Sequence, residues 1–323
     1  MNNKGISLTL ASLLNEYHQR EFSRGLDREM VQSEEDFARD YPVITYRAVA
    51  NDLPSYFPGG SVFFLRTRGF TGSPKLIPFS ATLLAASVSS FSRWLADHLG
   101  PRALALCLEP LAEETVNTNW GSFPSFRALP KQLTVASDRI VLVEEPLNPT
   151  NEGGLLNQLA ERLQESIEIL IGSAALAVKF LRFLKRRRPQ AMRYIRKLLL
   201  TGLPEIGSFF APELSRLVPA VVIREFYCAA EGIFAWQEEG QSELSWNSST
   251  CFFELEIAKI IKPLSRTVPG ESGSLIVSSE VFPRYQIGDF VLCHPNGQLQ
   301  VLGKDGRTTR LGYYLHHLFP SRS

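Results

Sequence analysis

The sequence predicts an α/β fold, in which a mostly parallel, helix-covered sheet is followed by a β-rich C-terminal subdomain. Three observations predict it. Short apolar runs alternate with longer helical patterns through the middle of the chain. Turn-rich β runs replace that alternation after about residue 245. And 44% of the 323 residues are hydrophobic, which is enough for a substantial core.

The elements follow in order. Residues 5 to 40 read as helices, with Leu8, Leu10, Leu13, Leu14 and Tyr17 at helical spacing. Tyr41 to Tyr46 reads as extended, and Val62 to Leu65 as a short strand. A Gly-rich turn leads to a second extended piece, Lys75 to Phe79, and a helix over 80–98 starts at Ser80 as its N-cap. Strands are expected at 103–108, 140–143, 167–171, 197–200 and 220–226, with helices at 153–166, 173–196 and 207–217 between them. Short β runs at 250–262, 273–279, 290–294 and 298–302 complete the chain. The expected division is an α/β core over 1–245 and a β-rich subdomain over 246–323.

The formal net charge is only +1, which argues against nucleic acid or an anionic membrane as the main partner. The four cysteines, Cys107, Cys228, Cys251 and Cys293, have no CxxC spacing and read as reduced thiols. With no signal-like start and no membrane-length apolar run, the expectation is a cytoplasmic protein.

The chemistry begins at Thr67-Arg68-Gly69-Phe70-Thr71-Gly72-Ser73-Pro74-Lys75, directly after a predicted strand. Two glycines permit tight turns, hydroxyls and free amides can wrap a phosphate, and a lysine can neutralise it. The Gly-Lys-Ser/Thr ending of a P-loop is missing, and an ordinary hairpin turn is the bland alternative. Further on stand Phe226-Tyr227-Cys228-Ala229-Ala230-Glu231-Gly232, then Tyr285-Gln286-Ile287-Gly288-Asp289, then Gly306-Arg307.

These four elements, in this order, resemble the adenylate-forming superfamily of acyl-CoA ligases, peptide-synthetase adenylation domains and luciferases. Tyr41-Pro42-Val43-Ile44-Thr45-Tyr46 and Ile171-Gly172-Ser173-Ala174 give the resemblance the flavour of the plant acyl-acid amido synthetases. The phenylacetate-CoA ligase and acyl-protein synthetase branches are close competitors. The resemblance implies ATP and Mg2+ as cofactors and activation of a carboxylic acid as its acyl-AMP, with transfer to an amine or thiol. It implies that Thr67, Arg68, Gly69, Thr71, Gly72 and Lys75 hold phosphates, Glu231 the magnesium, and Tyr227 the adenine. Ala230 falls at a phosphate-contact position, Asp289 takes the ribose hydroxyls, and Arg307 precedes the hinge. Gly172, Ser173 and Ala174 fall in the acyl pocket, with Lys75 and Glu231 the catalytic pair.

Departures from the pattern accompany it. Arg68, Phe70 and Ala230 replace hydroxyl residues, Cys228 replaces a glycine, and Gln286 replaces an arginine. The small C-terminal domain of the superfamily is expected to be missing. That would leave completion of the site to a separate small domain or to a carrier or pathway protein. A degenerate relative that binds ligand or acts as a scaffold without catalysis is the alternative function.

Other features have plainer readings. The basic run Lys185-Arg186-Arg187-Arg188, with Arg193, Arg196 and Lys197, reads as a solvated helix face. Thr115, Asn117, Asn119 and Trp120 read either as acyl-pocket lining or as an ordinary polar loop. The histidines have no metal-ligand spacing with acids or cysteines.

Overall fold

A computed structural model gives the architecture and describes residues 7–17, 31, 33–67, 74–143, 152–164, 166–201, 204–241 and 243–304. The chain begins with helices α1 (Leu8–Tyr17), α2 (Glu34–Asp40) and α3 (Tyr46–Asn51). Strands β1 (Phe63–Arg66) and β2 (Leu76–Phe79) and helix α4 (Ala81–Leu99) follow, then β3 (Leu104–Cys107). A hairpin of β4 (Glu113–Thr118) and β5 (Gly121–Arg127) runs into α5 (Ala128–Ala136). Next come β6 (Ile140–Val141), α6 (Glu152–Arg162), β7 (Ile167–Ser173), α7 (Ala174–Arg187), β8 (Lys197–Thr201) and α8 (Pro204–Leu217). Strands β9 (Val222–Ala229), β10 (Gly232–Gln237) and β11 (Leu244–Trp246) lead to β12 (Phe252–Ile257), β13 (Ile260–Pro263), β14 (Ser272–Ser278), β15 (Tyr285–Cys293) and β16 (Leu299–Lys304).

Three sheets result. The central one has seven strands in the order β11-β10-β9-β8-β7-β3-β6. It is parallel from β9 to β6, with β10 and β11 added antiparallel at one edge. Alternation along its strands sorts side chains to two cores. Ala105, Cys107, Ile169, Ile171 and Leu199 face the core that contains α4, while Leu106, Leu170, Leu198 and Leu200 face the one under α6, α7 and α8. Strands buried on both faces are why these segments read as continuous apolar runs. Ser80 caps α4 by accepting from the Leu83 amide, and Leu84, Val88, Phe91 and Leu95 form its buried stripe. On α7, Phe180 and Leu184 are buried, and the basic residues fill the last turn, where they also suit the helix dipole.

The second sheet, β2-β1-β5-β4, contains the hairpin 113–127, where the sequence offered either acyl-pocket lining or a polar loop. Thr115 pairs with Pro124 and Asn117 with Ser122, and Trp120 is 43% exposed near the tip. The third sheet, β13-β12-β14-β15-β16, is wholly antiparallel and drawn entirely from the C-terminal β-rich stretch. All four cysteines are free thiols. Among the described residues, no helix is long and apolar enough to cross a membrane.

The N-terminal helices pack on this third sheet. The Tyr17 hydroxyl donates to the carbonyls of Ser279 (2.7 Å) and Phe282 (3.1 Å). Arg284 makes a two-pronged ion pair with Glu254, Nε to Oε2 at 2.9 Å and Nη2 to Oε1 at 3.0 Å, with both residues buried. Its Nη1 donates to the carbonyls of Ala38 (2.6 Å) and Tyr41 (2.9 Å). The extended reading of 41–46 is met at Ile44, which bridges to Tyr285 in parallel, before α3 begins at Tyr46.

Arg284→Met would strand the Glu254 carboxylate in the core. It is expected to lower the unfolding free energy by about 3–5 kcal/mol, read as a lower urea midpoint. A second test uses His98. Burial, then the nearby Lys197 charge, holds its imidazole below its ordinary value of 6.5. The unfolded chain therefore binds the proton more readily, so stability should fall as pH drops below 6.5. His98→Gln should flatten that part of the stability–pH curve.

Candidate functional site

Three sheets contribute to one polar cluster. Thr67 and Lys75 close the neck of the Gly-rich segment: the Thr67 amide donates to the Lys75 carbonyl (3.1 Å), and the Lys75 amide donates to Thr67 Oγ1 (2.9 Å). The Tyr46 hydroxyl accepts from the next amide, Leu76, at 2.9 Å. These contacts direct Lys75 toward β15 and the β9–β10 turn. Its Nζ donates to the Tyr285 hydroxyl at 3.2 Å and lies 3.9 Å from Glu231 Oε1. It also stands 5.5 Å from the ring centroids of both Tyr46 and Tyr285, where aromatic faces favour a cation. Glu231 is only 4% exposed, so this is a shielded pair rather than a surface one. Burial, then the Glu231 charge and a hydrogen bond to it, pushes the Tyr285 phenol far above its usual value, so Tyr285 stays a neutral donor.

A second buried pair adjoins it. Tyr227, 2% exposed, donates its hydroxyl to Asp289 Oδ2 at 2.6 Å. Burial, then the Asp289 charge, raises the Tyr227 phenol well above its ordinary value. The Tyr227 ring packs at 5.7 Å from Phe234 and, edge-on, at 6.1 Å from Trp246. Ala230, also buried, begins the turn that carries Glu231.

Gly172 and Ser173 end β7, and Ala174 starts α7. A side chain at Gly172 would press on Leu108, with its Cβ 3.0 Å from that of Leu108. Ser173 pairs with Thr201 and Thr201 with Phe226, so Ser173 lies two strands, roughly 10 Å, from the Tyr227 strand. Thr201 Oγ1 and Cys228 Sγ, 2.8 Å apart, join β8 to β9 beside it. Arg68, Gly69, Thr71, Gly72 and Arg307 lie outside the described residues.

The structure thus brings Lys75, Glu231, Tyr227 and Asp289 into two adjoining clusters and adds Tyr285 and Tyr46, to which the sequence reading gave no role. Tyr285 stood inside a recognised motif, but only the fold aims its hydroxyl at Lys75. Among the described residues, no group of three or more His, Cys, Asp or Glu side chains gathers as a metal site. Glu231 offers hard oxygen donors, which suit a magnesium ion that takes its other ligands from phosphates and water.

No family model matches the chain, and no curated protein does. Solved structures do. The AtGH3.15 acyl acid amido synthetase in complex with 2,4-DB superposes with a TM-score of 0.63 at 17% identity, covering 92% of this chain and 67% of that one. The open conformation of 2-hydroxyisobutyryl-CoA ligase, with 2-HIB-AMP and CoA, gives 0.60 at 14% identity, covering 90% and 70%. The chain has the fold of acyl-adenylate-forming enzymes. It spans about two thirds of the length of these neighbours. The adenylate-forming fold accounts for the strand–helix core followed by the β-rich sheet.

Tyr227→Phe would remove a buried hydrogen bond to a charged group. The expected cost is about 1.5–3 kcal/mol in denaturant unfolding. A change below about 0.5 kcal/mol would mean that Asp289 does not depend on Tyr227 for its stability.

Proposed function

We propose that this chain binds ATP with Mg2+ and activates a carboxylic acid as its acyl-AMP, for transfer to an amine or thiol. The observation that carries this reading is the convergence of Lys75, Glu231 and Tyr285 from three separate sheets at the neck of the Gly-rich segment. The acyl-adenylate-forming neighbours support the same reading through the fold.

In this reading Lys75 neutralises phosphate charge, together with Thr67, Arg68, Gly69, Thr71 and Gly72. Tyr285 orients the Lys75 ammonium and remains protonated. Glu231 supplies a carboxylate oxygen to magnesium, which when bound offsets charge on the departing pyrophosphate. Tyr227 and Asp289 serve adenine and ribose, with the ribose hydroxyls replacing the Tyr227 hydroxyl on Asp289. Ala230 lets the turn approach the phosphates without adding a donor, and Arg307 is assigned to the nucleotide as well. Gly172, Ser173 and Ala174 line the acyl end. A carboxylate oxygen of the acid attacks the α-phosphorus, and the bond to pyrophosphate breaks. The acceptor nitrogen or sulfur then attacks the acyl carbon, loses its proton, and AMP departs.

A second reading, nucleotide or acyl binding without catalysis, is favoured by the Tyr227–Asp289 bond, which occupies the two groups assigned to the nucleoside. Within the first reading, a separate small domain or carrier protein could complete the reaction.

Calorimetric titration with Mg-ATP, followed by pyrophosphate release over a panel of acids, tests the proposal. Acid-dependent release supports adenylation by the chain alone, binding without release points to a partner that completes the site, and no binding favours a non-catalytic scaffold. Lys75→Ala should weaken Mg-ATP binding about ten- to a hundredfold, the loss of one charge-assisted contact. Unchanged affinity would remove Lys75 from the site.

A further inference from the structure

Gln132 has no exposed surface, yet it is a polar residue on the buried side of α5. Its Nε2 donates to the Ala229 carbonyl at 3.1 Å. That oxygen can only accept, so the amide must present its NH2 group to it. The other end, Oε1, is buried and accepts no hydrogen bond from the described residues. An idle buried acceptor costs stability, and an apolar side chain of similar shape would avoid the cost.

The contact falls at the root of the turn that carries Glu231. Ala229 pairs with Gly232, so β9 and β10 are joined by two residues, Ala230 and Glu231. Two-residue hairpin loops favour turns with positive φ at one or both central positions. Neither Ala230 nor Glu231 has a positive φ, Gly232 stands at +159°, and the pairing slips between Ile233 and Ala235. The turn therefore lacks the positive φ that two-residue hairpins favour, and the Gln132 contact adds a hold from outside it.

We infer that Gln132 is a positioning residue: by clamping the Ala229 carbonyl, it sets the place of the Glu231 carboxylate opposite Lys75. This rests on the proposed Mg-ATP site. Gln132 holds the backbone two residues before Glu231, so its effect runs through the backbone of the turn.

The test compares wild type, Gln132→Leu and Gln132→Glu in three readouts: urea midpoint, amide hydrogen exchange over 229–232, and calorimetric affinity for Mg-ATP and for AMP. Leucine should leave the midpoint unchanged or raise it, speed exchange of the turn about tenfold, and weaken Mg-ATP about tenfold while barely moving AMP. A glutamic acid can donate to Ala229 only when protonated. Gln132→Glu should therefore approach wild-type affinity at pH 5 and resemble the leucine variant at pH 8. Equal losses of stability and of both affinities in the leucine variant would make Gln132 merely structural and overturn the inference. Unchanged exchange and affinity would overturn it too, with the Mg-ATP site intact. A wild type that binds neither nucleotide would sink the proposed function, and this inference with it.

Discussion

The ion pair between Arg284 and Glu254 sets much of what surrounds it. Two buried charges are costly to desolvate, and burial raises the Glu254 carboxyl despite the guanidinium beside it. The pair is held because every side of the guanidinium has work: Glu254 takes one edge, and the carbonyls of Ala38 and Tyr41 take another. Arg284 also adopts φ +40°, a left-handed conformation that an L residue keeps only when its surroundings insist. Its own amide donates to Ser278 Oγ. The residue after it is Tyr285, whose ring stacks at 4.9 Å on Phe282 and whose hydroxyl receives Lys75. A strained arginine thus fixes both where the N-terminal helices dock and where the phenol of the candidate site points.

The site follows from that constraint and from two others. Thr67 and Lys75 pinch the mouth of the Gly-rich segment, which sends the lysine side chain across to β15. The β9–β10 turn brings Glu231 from the central sheet. The candidate site takes Lys75, Glu231 and Tyr285 from three different sheets. Lys75 and Glu231 meet where the sheets do, and the burial of Glu231 makes their interaction stronger than it would be on the surface. The same packing buries the Tyr227 ring and makes its hydroxyl and Asp289 answer one another.

Sequence patterns exposed the parts of this fold that repeat a simple rule. Both-face burial makes β7 and β8 continuous apolar runs, and Ser80 announces α4. The hairpin of β4 and β5 escaped, because Glu113-Glu114-Thr115-Val116-Asn117-Thr118 is largely exposed and Pro124 interrupts its partner. In the site, Lys75, Tyr227, Glu231 and Asp289 were legible as members of ordered motifs. Tyr46 stood in a recognised segment but without a role, and Gln132 was not legible, since a glutamine inside Ala-Leu-Pro-Lys-Gln-Leu has nothing local to distinguish it. Their significance comes from partners 30 and 97 residues away.

The hydroxyl of Tyr17 reaches carbonyls 262 and 265 residues further along the chain. During synthesis, α1 is made well before the end of β14 and the turn after it, whose carbonyls accept from Tyr17. At about 5–20 residues per second, that interval lasts roughly 13–50 s. Over that time the apolar face of Leu10, Leu13 and Leu14 has only the nearby Phe37 and Tyr41 to pack on, and its Tyr17 anchor waits for the third sheet. The Tyr17 anchor is thus among the longest-range contacts of the fold.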